Sequence, residues 1–421
     1  MVILNRARIV KTLDKVNQIG LTESGINRLA YTVEDKEAKY FIREQCELIG
    51  LQAKEDAAGN LIVRRPGLND SLPAVAVGSH LDTVYGGGKY DGTIGVLAGL
   101  EIFRMLEEGE IKTLHPIELI VFACEESSRF NFSTLGSKAI IGAIDKDYVK
   151  QLKDKNNYTV PEVFEKQSLN FDHIEHAVRK ESELKVFLEL HIEQGSQLVT
   201  YKKTIGIVTG IAAPLRVALT IVGKRAHSGT TSMENRQDAF LAAAEIALKV
   251  EDAAIEEAKF GTVATVGVVD VLSSAMNVIP GKANLKIDIR STDVSSRNRV
   301  LEKIKAELKR VEKSRKVKVG IEWMTEEEPV HMDQKVIKEI SSICEKNNIP
   351  YMFMASGAGH DAMYMAKRWP AALIFVPSVN GISHHPDEFT EIDDIVNGMK
   401  VLKELVLSYA ILADENVRRE A

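Results

Sequence analysis

The chain has 421 residues, more than a single hydrophobic core usually serves, so two domains are expected. Its formal charge of −6, with Lys and Arg interleaved among Asp and Glu, offers no basic stripe for nucleic acid and no polybasic membrane anchor. Three widely spaced cysteines, Cys46, Cys124 and Cys344, without CxxC spacing, argue against a disulfide framework or a thiolate metal site and fit a reducing cytoplasm.

In chain order, MVILNRARIVKTLDKV carries charges every few residues and has no signal-type apolar core, and no later apolar run approaches the ~20 residues of a membrane span. Helical spacing of apolar residues from Glu34 to Ile49 predicts a helix, followed by a turn at residues 57–60 and a strand in LIVRR. The runs AVAVGSHLD (74–82), IELIVFACEE (117–126) and LKVFLELHIE (184–193) predict strands of a buried sheet, with TIGVLAGLEIFRMLEEG as a crossover helix between the first two. Each run ends in polar residues, and open α/β sheets place their sites at the carboxyl ends of strands. Near Gly210 the texture changes. LRVALTIVGK, a helix in DAFLAAAEIALKVEDAAIEEAK, TVATVGVVDVL, KANLKIDIRS and a helix in RNRVLEKIKAELKRVEKS predict an inserted βαββαβ, ferredoxin-like module over 212–323. The first domain, 1–211, resumes over 324–421 with helix KVIKEISSICEKNNI, strand AALIFVPS and closing helix IVNGMKVLKELVLSYAILADE. The fold class is therefore α/β, and the sequence contains no internal repeat.

Five motifs carry possible metal ligands: His80 in HLDTV, Asp91 in KYDGTIGV, Glu126 in ACEESSRF, His191 in HIEQG, and His384 or His385 in GISHHPDE. Imidazoles and carboxylates suit zinc, manganese or cobalt, and a carboxylate such as Asp91 can bridge two cations about 3.5–4 Å apart. Asp82, two residues after His80, is placed to orient the His80 ring. Asp91 precedes an apolar helix and could equally cap it. The adjacent Glu125 and Glu126 end a buried strand, where like charges repel unless one ligates a cation and the other serves as base. Gln194 supplies a neutral donor and acceptor close to His191, and His227 in KRAHSGTTSMENR reads equally well as a surface histidine. Arg216 and Arg290 are either edge-strand side chains or carboxylate clamps. SGAGHDA (356–362) lacks the context of a nucleotide loop.

Together HLDTV, KYDGTIGV, CEESSRF, HIEQG, AHSGTTSM, NVIPGKANLKIDIR, SGAGHDA and FVPSVNGISHHP resemble the hydantoinase/carbamoylase branch of the M20 metallopeptidase-like hydrolases, over nearly the whole chain. That branch includes allantoate amidohydrolases and N-carbamoyl-L-amino-acid hydrolases. The resemblance implies two divalent metal ions held by His80, Asp91 as the bridge, Glu126, His191 and His384, with His385 in a variable slot. It implies Glu125 as general base and an inserted domain that serves as lid and dimerisation module, with His227 reaching the neighbouring subunit's site. Gln194, Arg216, Asn277, Arg290 and the backbone around Gly357 are implied to hold the substrate. The implied reaction is hydrolysis of a ureido C–N bond of a small carboxylate in the cytoplasm, releasing ammonia and carbon dioxide. Arg216, NVIPGK, WMTEEEPV and FVPSVNGISH favour allantoate, whereas EDAAGNLI and GIVTGIAAP favour N-carbamoyl-L-amino acids. An M20-type peptidase would share the metals without the HIEQG and SRF signatures, and a binding protein would be expected to have lost Glu125 or a ligand.

Overall fold

A computed structural model describes residues 4–272 and 275–411. Along the chain lie α1 (Arg6–Gln18), α2 (Val33–Glu47), β1 (Gln52–Glu55), β2 (Leu61–Arg65), β3 (Ala74–His80), α3 (Thr93–Glu108), β4 (Ile117–Phe122), β5 (Leu184–Ile192) and β6 (Ile205–Ile211). There follow β7 (Ala213–Val222), α4 (Ala239–Glu257), β8 (Val263–Leu272), β9 (Lys282–Ser291), α5 (Val294–Arg315) and β10 (Lys318–Glu326). The chain closes with α6 (Gln334–Lys346), β11 (Tyr351–Ser356), β12 (Ala371–Val376) and α7 (Ile392–Ala410). The sequence predicts a closing helix that runs on to Glu415, and its final residues lie outside those described.

The chain divides into two compact units, one of residues 1–209, 332–354 and 359–421, the other of residues 210–331 and 355–358. In the first unit the strand order is β6-β12-β5-β3-β4-β2-β1, with β11 also paired to β6. The central strands β12, β5, β3 and β4 are parallel, and antiparallel strands flank them on both sides. Every residue of β3 and β4 is buried, because helices cover both faces of a parallel sheet, and such strands read as continuous apolar runs without alternation. Helix α3 is buried along most of its length for the same reason. Strands β1, β6 and β11 are not among the predicted strands, although IGIVTGI of β6 is itself a nearly continuous buried apolar run. Helix α1 is not among the predicted helices, although Ile9, Leu13 and Val16 recur at helical spacing behind an Asn5 cap.

In the second unit strand, helix, strand, strand, helix and strand follow one another, and the antiparallel order is β8-β9-β7-β10. Period-two burial on β7 and β9 turns Leu215, Val217, Leu219 and Ile221, and Leu285, Ile287 and Ile289, onto one face. There they pack with Ile246 and Val250 of α4 and Val300, Ile304 and Leu308 of α5 into a core of the unit's own. Asp238 and Asp293 cap the two helices by accepting from backbone N–H groups of their first turns. Among the described residues no helix is long and apolar enough to cross a membrane.

Candidate metal centre

Parallel strands deliver the first candidate ligands. His80 is the last residue of β3 and His191 the penultimate residue of β5, while Glu125 and Glu126 follow shortly after β4. The Nδ1 of His80 lies 2.9 Å from the carbonyl oxygen of Asp82, and that of His191 lies 2.9 Å from the carbonyl oxygen of Ile192. A carbonyl partner requires each Nδ1 to carry the proton, so in both rings it is Nε2 that turns toward the cluster. Both Nε2 atoms face Oδ1 of Asp91, at 3.3 Å from His80 and 3.1 Å from His191.

Asp91 does not cap α3. The cap position belongs to Gly92, with φ +64 and no side-chain bond, and a Cβ there would stand 2.5 Å from the His80 ring, so only glycine fits. The Asp91 carboxylate points instead into the cluster, where Oδ2 faces Gln194 Nε2 at 2.6 Å, Ser383 Oγ at 3.0 Å and His384 Nε2 at 3.4 Å. Burial pushes its pKa up, but the charge of His191 and hydrogen bonds from three histidines outweigh this and hold it well below the usual carboxylate range. His384, with φ +57, also approaches Glu126 Oε1 at 3.1 Å. Hydrogen bonds to Asp91 and Glu126 push its pKa up to about 11. His385 points elsewhere, pairing with the exposed Asp387 at 3.6 Å, so of the two candidates it is His384 that joins the other donors.

Asp82 has a different role from the one its spacing predicts. Its carboxylate is 3.9 Å from His80 Nδ1, too far for a hydrogen bond, and instead accepts from the backbone N–H groups of Glu125 at 3.2 Å and Glu126 at 3.0 Å. The ring is oriented by the Asp82 carbonyl, while the side chain fixes the turn that presents the two glutamates. Cys124, just before them, holds φ +53, an uncommon conformation that this anchoring helps to maintain. Glu125 Oε2 lies 3.8 Å from His80 Nε2. Burial pushes the Glu125 carboxyl well above its usual pKa, with Glu126 adding to the shift and His80 opposing it.

The donors form two groups that share Asp91: His80, Asp91 and His191, and Asp91, Glu126 and His384. Imidazoles whose Nε2 atoms face the cluster, plus carboxylates, with one Asp91 oxygen turned toward each group, fit divalent ions of the zinc, manganese or cobalt type. One residue not named among the sequence candidates belongs here, although it closes the motif GISHHPDE. Glu388 is buried behind the loop that carries Asp91 and accepts from its backbone.

The remaining candidates lie in the second unit, apart from Gln194. Arg216 on β7 and Arg290 on β9 share Asp288: Arg216 Nε donates to Oδ2 at 3.1 Å, and Arg290 Nε and Nη2 donate to the two oxygens at 3.2 and 3.0 Å. Burial pushes the Asp288 pKa up, yet Arg290 and Arg216 bring it below its usual value. Arg290 Nη1 donates to the carbonyl oxygen of Gly357 at 2.7 Å. His227 is exposed on a short ribbon in which it pairs with Val278, and the Asn277 carbonyl accepts from Ser228 N at 2.9 Å. The following turn holds the His227 ring, since Gly229 N donates to its Nδ1 at 3.1 Å.

Residues 70–408 match the model of peptidase family M20/M25/M40. The chain is 36% identical over 411 residues to an N-carbamoyl-L-amino-acid amidohydrolase of Pseudomonas sp., covering 97% of this chain and 99% of the relative. It is 37% identical to a ureidoglycolate hydrolase of Arabidopsis thaliana (90% of this chain, 80% of the relative) and 32% identical to the allantoate amidohydrolase of Escherichia coli (96% and 98%). A crystal structure of an amidase of the hydantoinase/carbamoylase family from Burkholderia multivorans superposes with a TM-score of 0.89 at 32% identity, covering 98% of this chain and 99% of that one. By sequence, by fold and by the motifs that build its donor cluster, this chain belongs to peptidase family M20/M25/M40.

Proposed function

We propose that the protein is a binuclear metal-dependent amidohydrolase that cleaves the ureido C–N bond of a small carboxylate, with allantoate as the first substrate to test. The observation that carries this reading is the unequal placement of the paired glutamates: Glu126 belongs to a donor group with Asp91 and His384, while Glu125 stands outside both groups. His80, Asp91, Glu126, His191 and His384 would hold the two ions, which when bound activate water and polarise a carbonyl. Glu125 takes the proton of the attacking water and returns it to the departing nitrogen, a role its place beside the two donor groups allows. His227 of one subunit donates a hydrogen bond to the developing oxyanion in its partner, so the working form is a homodimer whose second unit serves as lid and dimerisation module. Arg290 and Arg216 hold the substrate carboxylate, with Gln194, Asn277 and the backbone at Gly357 completing its contacts. Three buried free thiols suit a cytoplasmic setting.

A second reading, an N-carbamoyl-L-amino acid as substrate, is favoured by the 36% identity to the Pseudomonas enzyme against 32% to the allantoate enzyme. Ammonia release measured on allantoate, ureidoglycolate, several N-carbamoyl-L-amino acids and dipeptides, with added manganese, cobalt or zinc, separates the readings. Allantoate should give the highest kcat/KM. A carbamoyl amino acid in first place selects the second reading, and turnover of dipeptides alone would refute both.

A further inference from the structure

The loop that carries Asp91, Gly86-Gly87-Gly88-Lys89-Tyr90-Asp91, has a fixed backstop, and it comes from the far end of the chain. Glu388 is 2% exposed, and its Oε1 accepts from the backbone N–H of Tyr90 at 2.8 Å and of Asp91 at 3.1 Å. Its Oε2 lies 3.1 Å from the hydroxyl of Ser383, and the same hydroxyl lies 3.0 Å from Oδ2 of Asp91. One carboxylate thus holds the Asp91 backbone and shares with the Asp91 side chain the hydroxyl of Ser383, whose single proton serves one of the two at a time. The space it fills exists because residue 88 is glycine: a Cβ there would sit 2.2 Å from Cδ and Oε1 of Glu388. Next in sequence, Phe389 packs edge-on against Tyr90 with ring centroids 6.0 Å apart, tying the same two segments together.

We infer that Glu388 is a positioning residue for the metal centre, setting the place and rotation of the Asp91 carboxylate so that one oxygen faces each donor group. A carboxylate shared by two ions tolerates little rotation, since turning it toward one group takes it from the other, and partners that hold a ligand from behind commonly change metal affinity by about 10–100-fold when removed. The same arrangement couples Asp91 to His384, because Ser383 and Glu388 bracket His384 in sequence. The inference rests on the reading of Asp91 as the ligand common to both ions.

The test is metal binding by the full-length apo protein, prepared with a chelator and titrated calorimetrically with zinc or manganese. Circular dichroism first establishes that each variant is folded. Glu388→Ala should bind both ions about 10–100-fold more weakly than wild type. Glu388→Gln should bind close to wild type, because its amide oxygen still accepts from both N–H groups and its amide nitrogen can donate to Ser383. Gly88→Ala should imitate Glu388→Ala although the carboxylate is still present, and Ser383→Ala should weaken binding by a smaller factor. Should Glu388→Ala not fold, Gly88→Ala and Ser383→Ala decide by the same criterion. Wild-type affinity in both of these, or Glu388→Gln as weak as Glu388→Ala, overturns the positioning role while leaving the metal reading intact. A wild-type chain that takes up no ion refutes the metal reading and this inference with it.

Discussion

Glu125 and Glu126 are neighbours on one turn, yet they differ in what surrounds them: Glu126 faces His384 at 3.1 Å, and Glu125 has His80 at 3.8 Å. If Glu126 is a ligand and Glu125 a base, Glu125→Gln should retain both ions and lose on the order of 10²–10⁴ in turnover, because only proton transfer is removed. Glu126→Gln should lower the metal content instead. Metal analysis and kcat measured side by side check both, and the opposite pattern would exchange the two roles. The donor residues are legible in the sequence because a histidine or an acid at the end of a buried apolar run is costly unless it is paired or bound, and so stands out. Their supports are not. Asp82 acts through backbone amides of Glu125 and Glu126, and Glu388 through those of Tyr90 and Asp91. A backbone N–H leaves no trace in the identity of the residue that carries it, so neither partnership has a sequence signature.

At the scale of elements, the buried strands β3, β4 and β5 are legible as continuous apolar runs, and β7 and β9 by alternation. The stretch from Leu135 to Glu183 is not, because its helices are only a few residues long and its apolar residues, among them Phe164 and Phe171, gather in a local cluster without a period. Alternation on β9 also puts Asp288 and Arg290 on the same face, and there they meet Arg216 of β7. From sequence both arginines read as edge side chains or open clamps, although the alternation in KIDIRS already sets Asp288 beside Arg290, and what the sequence leaves out is Arg216 across from it. With Asp288 holding two of its nitrogens, Arg290 is pre-oriented, and a lysine cannot reproduce that fork. Arg290→Lys should therefore raise KM roughly 10-fold or more for substrates with a free carboxylate, the loss of one charge-assisted hydrogen bond. KM for the corresponding amides should change little. An equal rise for the amides would assign Arg290 to the structure of the sheet.

For the whole molecule, the change of texture near Gly210 is legible because alternating strands and long amphipathic helices replace buried apolar runs, whereas no pattern in the sequence by itself marks a dimer. If His227 serves the partner's site, a two-fold dimer gives each subunit the same contact to give and to receive. A Glu125→Gln chain still has a sound His227, and a His227→Ala chain still has a sound donor cluster. Mixing the two inactive variants under subunit exchange should restore about a quarter of wild-type activity if pairing is random. No recovery, with exchange verified by mass, would confine His227 to its own chain or remove it from the reaction. The long segment of the second unit, residues 210–331, also begins and ends at one place. Gly210 and Ile211 face His331 and Val330 in an antiparallel ladder, and Met332 N donates to the Thr209 carbonyl at 3.1 Å. The two ends of the excursion are thus stapled together as in a hairpin, and in the language of chain entropy the first unit meets a closed turn where a long open loop could have been. Closure entropy grows only with the logarithm of loop length, about 0.6 kcal/mol per doubling, so the length of the excursion is weakly constrained. Evolution could lengthen, shorten or exchange what lies beyond that ladder without disturbing the strands that carry His80 and His191.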